Sequence, residues 1–254
     1  MQGVFFYYKN GNMELILIFL VVIFAAALTV PAGFGLSTIM TPIVLLMMPP
    51  HEAVAVVGVV HGIHNGAKYI SLREYVDVDA VKHYGIWLVI GALIGSVLNN
   101  SVPQKPLLII IGAFLIVLPL LTMSEKWTNY KIPESNDRIG GFGSGFMGGL
   151  SGHQGALRAM FLSRRLKDKM NYAATASVLA LSVDITRVPV YFFFRYENMA
   201  EYFELTIILV LAALIGVDVG KKWLKSMKNS VVHNLVMLGI IISGLFYLKE
   251  GLNL

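Results

Sequence analysis

Gly148-Gly149-Leu150-Ser151-Gly152-His153-Gln154-Gly155-Ala156-Leu157-Arg158 separates two apolar runs, 139–150 and 156–166. Each run is too short to cross a bilayer, since a crossing helix needs roughly 20 apolar residues and runs of about 10 to 14 read as half-spans. The interruption is rich in glycine, which tolerates the left-handed backbone that ends a helix. Irregular backbone at membrane depth survives only where it is packed in protein or lines a cavity. This stretch therefore predicts a half-helix, a break and a second half-helix inside a membrane protein.

Composition agrees. The 254-residue chain is 56% hydrophobic and 14% charged, with mean hydropathy +0.70 and no Cys. An ordinary soluble domain carries about 25% charged residues. A compact soluble fold, a disordered chain, a disulfide scaffold and a zinc finger are all excluded. The 20 Lys+Arg exceed the 15 Asp+Glu, but most of them sit in short loops between apolar runs, which gives no reason to expect nucleic acid as a partner. The partner the composition requires is a lipid bilayer, and a multi-pass protein of the cell (inner) membrane is expected.

Working outward, the other apolar runs are 13–30, 36–48, 52–72, 81–98, 106–123, 171–194, 202–219 and 231–248. None alternates with period two, as a membrane barrel would. The first of them meets Pro31-Ala32-Gly33-Phe34-Gly35 before the short run 36–48, which repeats the pattern of the quoted stretch. Gly33 matches Gly152 and Lys68 matches Arg187 at one common separation; Ala92-Leu93-Ile94-Gly95 recurs as Ala213-Leu214-Ile215-Gly216, and Gly112 can be laid on Gly239. The fold class expected is all-α integral membrane, an inverted repeat of two halves. Each half is a Gly-broken, re-entrant-like helix pair followed by three transmembrane helices. The domain limits are a tail 1–12, a first repeat 13–123, a cytoplasmic linker 124–137 and a second repeat 138–254. Cytoplasmic loops carry the excess of Lys and Arg. That rule puts Arg164, Arg165, Lys167 and Lys169 inside, Lys221 and Lys222 inside, and the loop with Glu197, Glu201 and Glu204 outside.

Inverted repeats with broken helices are a transporter design, with the breaks meeting near the midplane. A half-helix starting at a break aims free N–H groups and the positive end of its dipole at that point, which favours an anion. The residues there are Gly33, Gly35, Ser37 and Thr38 in the first half and Gly152, His153, Gln154 and Arg158 in the second. Arg158 lies far from any loop, where a charge costs about 2.5–3.5 kcal/mol or more unless it meets water or a partner; its planar fork suits oxyanions. His61 and Asn65 add a polar lining on the third run. Lys68, Asp184 and Arg187 are gate or coupling candidates, Asp184 and Arg187 being spaced to pair on one helix face. The alternative is a metal or cation transporter using His61, His64 and His153. An enzyme would need a nucleophile and base, for which Ser151 with His153 is the local candidate; none is expected, nor is a cofactor. Gly143-Ser144-Gly145-Phe146-Met147-Gly148 fits a dinucleotide fingerprint in letters only, with no strand before it. Gly141, Gly145 and Gly149 instead form a small-residue face for close helix packing. No G-x-x-x-x-G-K-[ST] motif is present, so coupling to a proton or another ion is expected; a homodimer is left open.

These residues resemble the TauE/SafE family of membrane anion transporters, the sulfite exporter family. Each half of that family carries a Gly-rich break, a half-helix with Pro and a helix starting in small residues. Here these are Gly33-Phe34-Gly35, Thr41-Pro42 and Glu52-Ala53-Val54-Ala55, then Gly148 to Gly155 and Ala173-Ala174-Thr175-Ala176-Ser177. This chain departs from the family in reducing the first glycine triplet to Gly33 and Gly35 and in placing His153-Gln154 where glycines stand. The resemblance implies a small anionic substrate: sulfite, sulfonates such as sulfoacetate, or other small sulfur oxyanions.

Overall fold

The computed structural model describes residues 11–32, 35–128, 136–226 and 229–252. Among them all regular structure is helical: α1 (Gly11–Ala32), α2 (Leu36–Val44), α3 (Pro50–Leu72), a 3-10 turn (Arg73–Tyr75), α4 (Val78–Ser101), α5 (Gln104–Thr128), α6 (Asp137–Ser151), α7 (Gly155–Arg165), α8 (Lys169–Ala200), α9 (Phe203–Ser226) and α10 (Asn229–Leu252). Three described segments are long and apolar enough to cross a membrane, Val78–Ser101, Lys169–Arg195 and Phe203–Trp223. α3 is as long but too polar to join them.

Local chemistry sets the ends. Asp77 caps α4 by accepting from the Ala80 N–H at 2.8 Å. Asn136 caps α6 through the Ile139 N–H at 3.3 Å, and Asp168 takes the Met170 and Asn171 N–H groups, both at 2.9 Å, at the start of α8. These are the residue types that best replace the missing acceptors of a first turn. Pro50 stands at the first position of α3, where its missing N–H costs nothing. α6 ends at Gly152, whose φ of 83° closes the helix through a Gly152 N–H to Gly148 carbonyl bond at 2.9 Å.

Some boundaries differ from the sequence expectation. α5 continues through Thr128 into the stretch read as a linker, because Ser124, Glu125 and Lys126 continue a helix into water as readily as they end one. α2 stops at Val44 and finishes as turns, after Pro42 has removed an N–H from its interior. α8 runs on to Ala200 through a non-helical Arg195 at φ −140°, ψ 29°.

The outward faces are apolar, and the interior combines an apolar core (Val22, Leu36, Met40, Val56, Leu88 and Leu209 among it) with buried polar and charged side chains. Ile86, Ile90, Leu93, Ile94 and Val97 of α4 are exposed, as are Ile207, Leu211 and Ile215 of α9. Facing inward on α4 are Gly91 and Gly95, which lie on the backbone of Phe142 and Phe146; Gly141, Gly145 and Gly149 return the contact against Tyr84, Leu88 and Ala92. The expected small-residue face thus packs α6 on α4. α1 meets α9 in the same manner, with Gly216 and Gly220 against Ala26 and Ala27. α3 packs on α8 and α5 on α10. Gly112 faces Gly244, with Leu248 over Gly112 as Ile116 is over Gly244.

At one end of the bundle Arg165, closing α7, bonds Asp137 at the start of α6 at 2.6 Å and also bonds Asp79 at the start of α4. The α6–α7 pair therefore returns to the side on which it begins.

Gly145→Ala should lower unfolding stability in detergent by about 3 kcal/mol, because the new Cβ falls on the Leu88 carbonyl. Gly143→Ala meets only the flexible Leu157 side chain and should stay within about 1 kcal/mol of wild type. Thermal unfolding of the two purified variants checks the contrast.

Candidate functional site

The two breaks meet. Ser37, in the first turn of α2, donates its hydroxyl to the Gly152 carbonyl at 2.8 Å. Thr41 donates back to the Ser37 carbonyl at 2.5 Å, and Gly35 enters α2 at φ 108°. Ser37 and Thr38 are buried. Gly33 lies outside the described residues. α2 and α7 both start here, so the first amides of two helices, which have no intrahelical acceptor, belong to one junction.

Gln154 precedes α7 and accepts from Arg158 Nη1 through Oε1 at 3.1 Å. Its Nε2 is buried without a hydrogen-bond partner among the described residues. His153 is committed on both ring nitrogens. Nδ1 donates to the Ser151 carbonyl at 2.7 Å, which leaves Nε2 to accept from the Tyr247 hydroxyl at 3.3 Å. His153 therefore braces the break against α10. Ser151 donates to the Met147 carbonyl at 2.8 Å, so it forms no nucleophile–base pair with the imidazole.

α3 and α8 supply the other wall. Asp184 Oδ2 accepts from His61 Nδ1 at 2.7 Å, and Oδ1 accepts from Arg187 Nε at 2.9 Å. Gly62 makes room, since a Cβ there would stand 3.1 Å from the Asp184 Cβ. Arg187 is fully buried, lies over the Tyr191 ring at 5.8 Å and turns Nη1 against Gly152. Tyr191 in turn donates to the Gly149 carbonyl. The expected Asp184–Arg187 pair is present, and it is tied to the break. Asn65 spends its amide N–H on the His61 carbonyl at 2.8 Å.

Lys68 and Arg158 are each 1% exposed and lie within electrostatic reach of one another. Arg158 also acts on His61 and Asp184. Arg158 thus stands between the Asp184–Arg187 pair and Lys68, which lies about 10 Å from His61 along α3 by helical rise. Along α8 the break stands beside Arg187, roughly 12 Å from Arg195 and about 27 Å from Lys169 by helical rise.

His61 and His64 diverge. His64 Nε2 turns to the Ala26 carbonyl at 3.3 Å, while His61 turns to Asp184. Among the described residues no group of three His, Cys, Asp or Glu could hold a metal ion, and the metal reading finds no support.

The sequence reading missed two groups. Tyr172 is buried beside Arg158 with its hydroxyl lacking a hydrogen-bond partner among the described residues. Toward the Arg195 end, Asn99 donates to the Leu150 carbonyl at 2.7 Å and accepts from Arg195 Nη1 at 3.0 Å. His51 lies 3.4 Å from the same Asn99 oxygen, and Glu52 acts on both His51 and Arg195. Nothing local signals either group; both are assembled by packing between distant segments.

Apolar outward faces on helices long enough to cross a bilayer are the build of a membrane protein. A family model described as sulfite exporter TauE/SafE matches residues 18–247, and the chain belongs to that family. No curated protein and no solved structure matches it.

Asp184→Ala strands Arg187 in the interior and should cost about 3–5 kcal/mol. Ser37→Ala removes one break-to-break bond and should cost about 1 kcal/mol. Unfolding midpoints in detergent should rank the two in that order.

Proposed function

We propose that this protein is a secondary exporter of small sulfur-containing anions, such as sulfite or organosulfonates, in the cell inner membrane. The observation that carries the reading is the buried Arg158 at the start of α7, within electrostatic reach of Lys68 and of Asp184, whose partner Arg187 lies against Gly152. Preorganised cations and helix N-termini are the groups that replace water around an anion. Arg158, Gln154 and the first amides of α2 and α7 hold the oxyanion, with Ser37 and Thr38 at the α2 side and His61 and Asn65 on the α3 wall. The unpartnered Gln154 Nε2 is a donor suited to a sulfonate oxygen. Glycines at Gly35 and Gly152 let backbone approach the ligand closely. Lys68, Asp184 and Arg187 serve as gate or coupling groups.

We infer an inverted repeat as the framework. Exchanging the first five helices for the last five turns the α4–α6 seam into the α9–α1 seam, while α3–α8 and α5–α10 map onto themselves. Gly112 opposite Gly244 supports a two-fold relation through that pair. The Arg165 contacts support a re-entrant α6–α7 hairpin entering from the side with the basic loops. In this topology Ser124 to Asp137 joins the repeats on the cytoplasmic face, and each repeat contributes three crossings of opposite sense.

Arg158→Ala should weaken anion binding by roughly 30- to 150-fold, the loss of about 2–3 kcal/mol for a charged hydrogen-bonded contact. Counterflow in proteoliposomes over sulfite, sulfate, thiosulfate, sulfoacetate and taurine measures it. Unchanged exchange of every anion by a folded variant would refute the site.

A further inference from the structure

We propose that His61 is the proton site of this transporter, loading a proton at Nε2 when an anion occupies the adjacent cations and releasing it when the anion leaves. The proposal rests on the anion reading above and adds the co-transported ion and its carrier.

The geometry singles out one nitrogen. His61 Nδ1 donates to Asp184 Oδ2 at 2.7 Å, which fixes the ring and leaves Nε2 as the atom that exchanges a proton. Asp184 uses its other oxygen on Arg187, so the carboxylate is held while the imidazole titrates. A carboxylate behind a histidine stabilises the imidazolium. The side chain keeps 5% of its exposure. The other candidate nitrogens are placed differently. His153 uses both of its own within the break. His64 is held to the Ala26 carbonyl, and its near charge is the repelling Lys68.

The charges facing His61 decide when it loads. From α8 come Asp184 and Arg187, from α7 Arg158, from the break His153, and from α3 itself His64. α2 and α9 also pack on α3, α2 with buried Ser37, Thr38 and Thr41 and α9 with buried apolar Leu209, Ala212 and Ala213. Without an anion, burial and two guanidiniums oppose a further positive charge, and Asp184 favours it. An anion on those guanidiniums offsets the repulsion. Binding free energies are reciprocal, so an anion that favours protonation is itself bound more tightly by the protonated site. In the step itself, an Nε2–H bond forms, Nδ1–H stays with Asp184, and the ring gains one positive charge. On the other side of the membrane the anion departs, the repulsion returns and the proton follows it.

The experiment uses the full chain in proteoliposomes with an internal pH dye and a labelled anion. The probes are thiosulfate, sulfate and a simple alkyl sulfonate, whose own charge does not change across the neutral range. Wild type should move about one proton with each anion, in the same direction. In His61→Gln the ratio of protons to anions should fall to zero, whatever the anion rate, while His64→Gln keeps the wild-type ratio. Anion movement by wild type without protons overturns the proposal, as does an undiminished ratio in His61→Gln. No exchange of any probe by wild type removes the anion reading and the proton site with it. If His61→Gln does not assemble, nitrogen NMR of histidine-labelled wild type and His64→Gln protein decides. An imidazolium signal appearing with thiosulfate in both supports His61, and its loss in His64→Gln overturns it.

Discussion

Arg187 has no exposure, and its guanidinium is bonded to Asp184 along one edge and turned against Gly152 on another. A charge so placed costs several kcal/mol unless it is compensated. The compensation comes from one carboxylate, which also holds His61 on α3. That carboxylate joins α3 to α8, and Arg187 joins α8 to the break between α6 and α7. Ser37 then joins the same break to α2. Removing the ion pair would cut the polar tie between α3 and α8 and leave α8 bonded to the end of α6 through Tyr191. Lipid offers no hydrophobic drive for helices to associate, so polar ties of this kind specify the arrangement more strongly here than they would in a soluble core.

Glycine has the complementary task. Gly91 and Gly95 against α6, and Gly216 and Gly220 against α1, bring helix backbones to a separation that a methyl group would prevent. Close seams of this sort gain dispersion contact over their whole length. They also hold rigid pairs, α4 with α6 and α1 with α9, on either side of the polar α3–α8 layer. A rigid pair and a polar layer are what a rocking transporter requires: one part moves and the other keeps its ligands.

Much of this was legible in the residues. Half-length apolar runs around Gly152 announced a broken helix, and the break is there. Arg158 stood out by its distance from any loop, and it is buried at the start of α7. The Gly141, Gly145 and Gly149 face read correctly as a packing surface, because glycine spacing on a helix is a local property. What escaped was set by pairing across the chain. No sequence rule links His61 to Asp184, or Asn99 to Leu150, since each pair joins segments that meet only after the helices pack. The seam of Gly112 with Gly244 is fixed by how side chains interlock, which letters alone do not reveal.

In the proposed repeat the two halves carry unequal chemistry. In the register that pairs Gly33 with Gly152 and Lys68 with Arg187, Arg158 falls opposite Ile39, Asp184 opposite Asn65 and His61 opposite Ala180. One half thus contributes Arg158 and the carboxylate, and the other the imidazole that the carboxylate holds. If two related halves exchange roles as the site opens to one side and then the other, a symmetric set of charges would make the two openings equal in energy. An unequal set does not. In such an exchange Arg187 and Asp184 would stay together on α8, while Arg158 would move with α7 and His61 with α3. The distance between the proposed anion ligand and the proposed proton site would then depend on which side is open. Coulomb interaction falls with distance, so the proposed linkage between anion and proton would differ between the two openings. Such a difference is the physical requirement for loading both on one side and releasing both on the other.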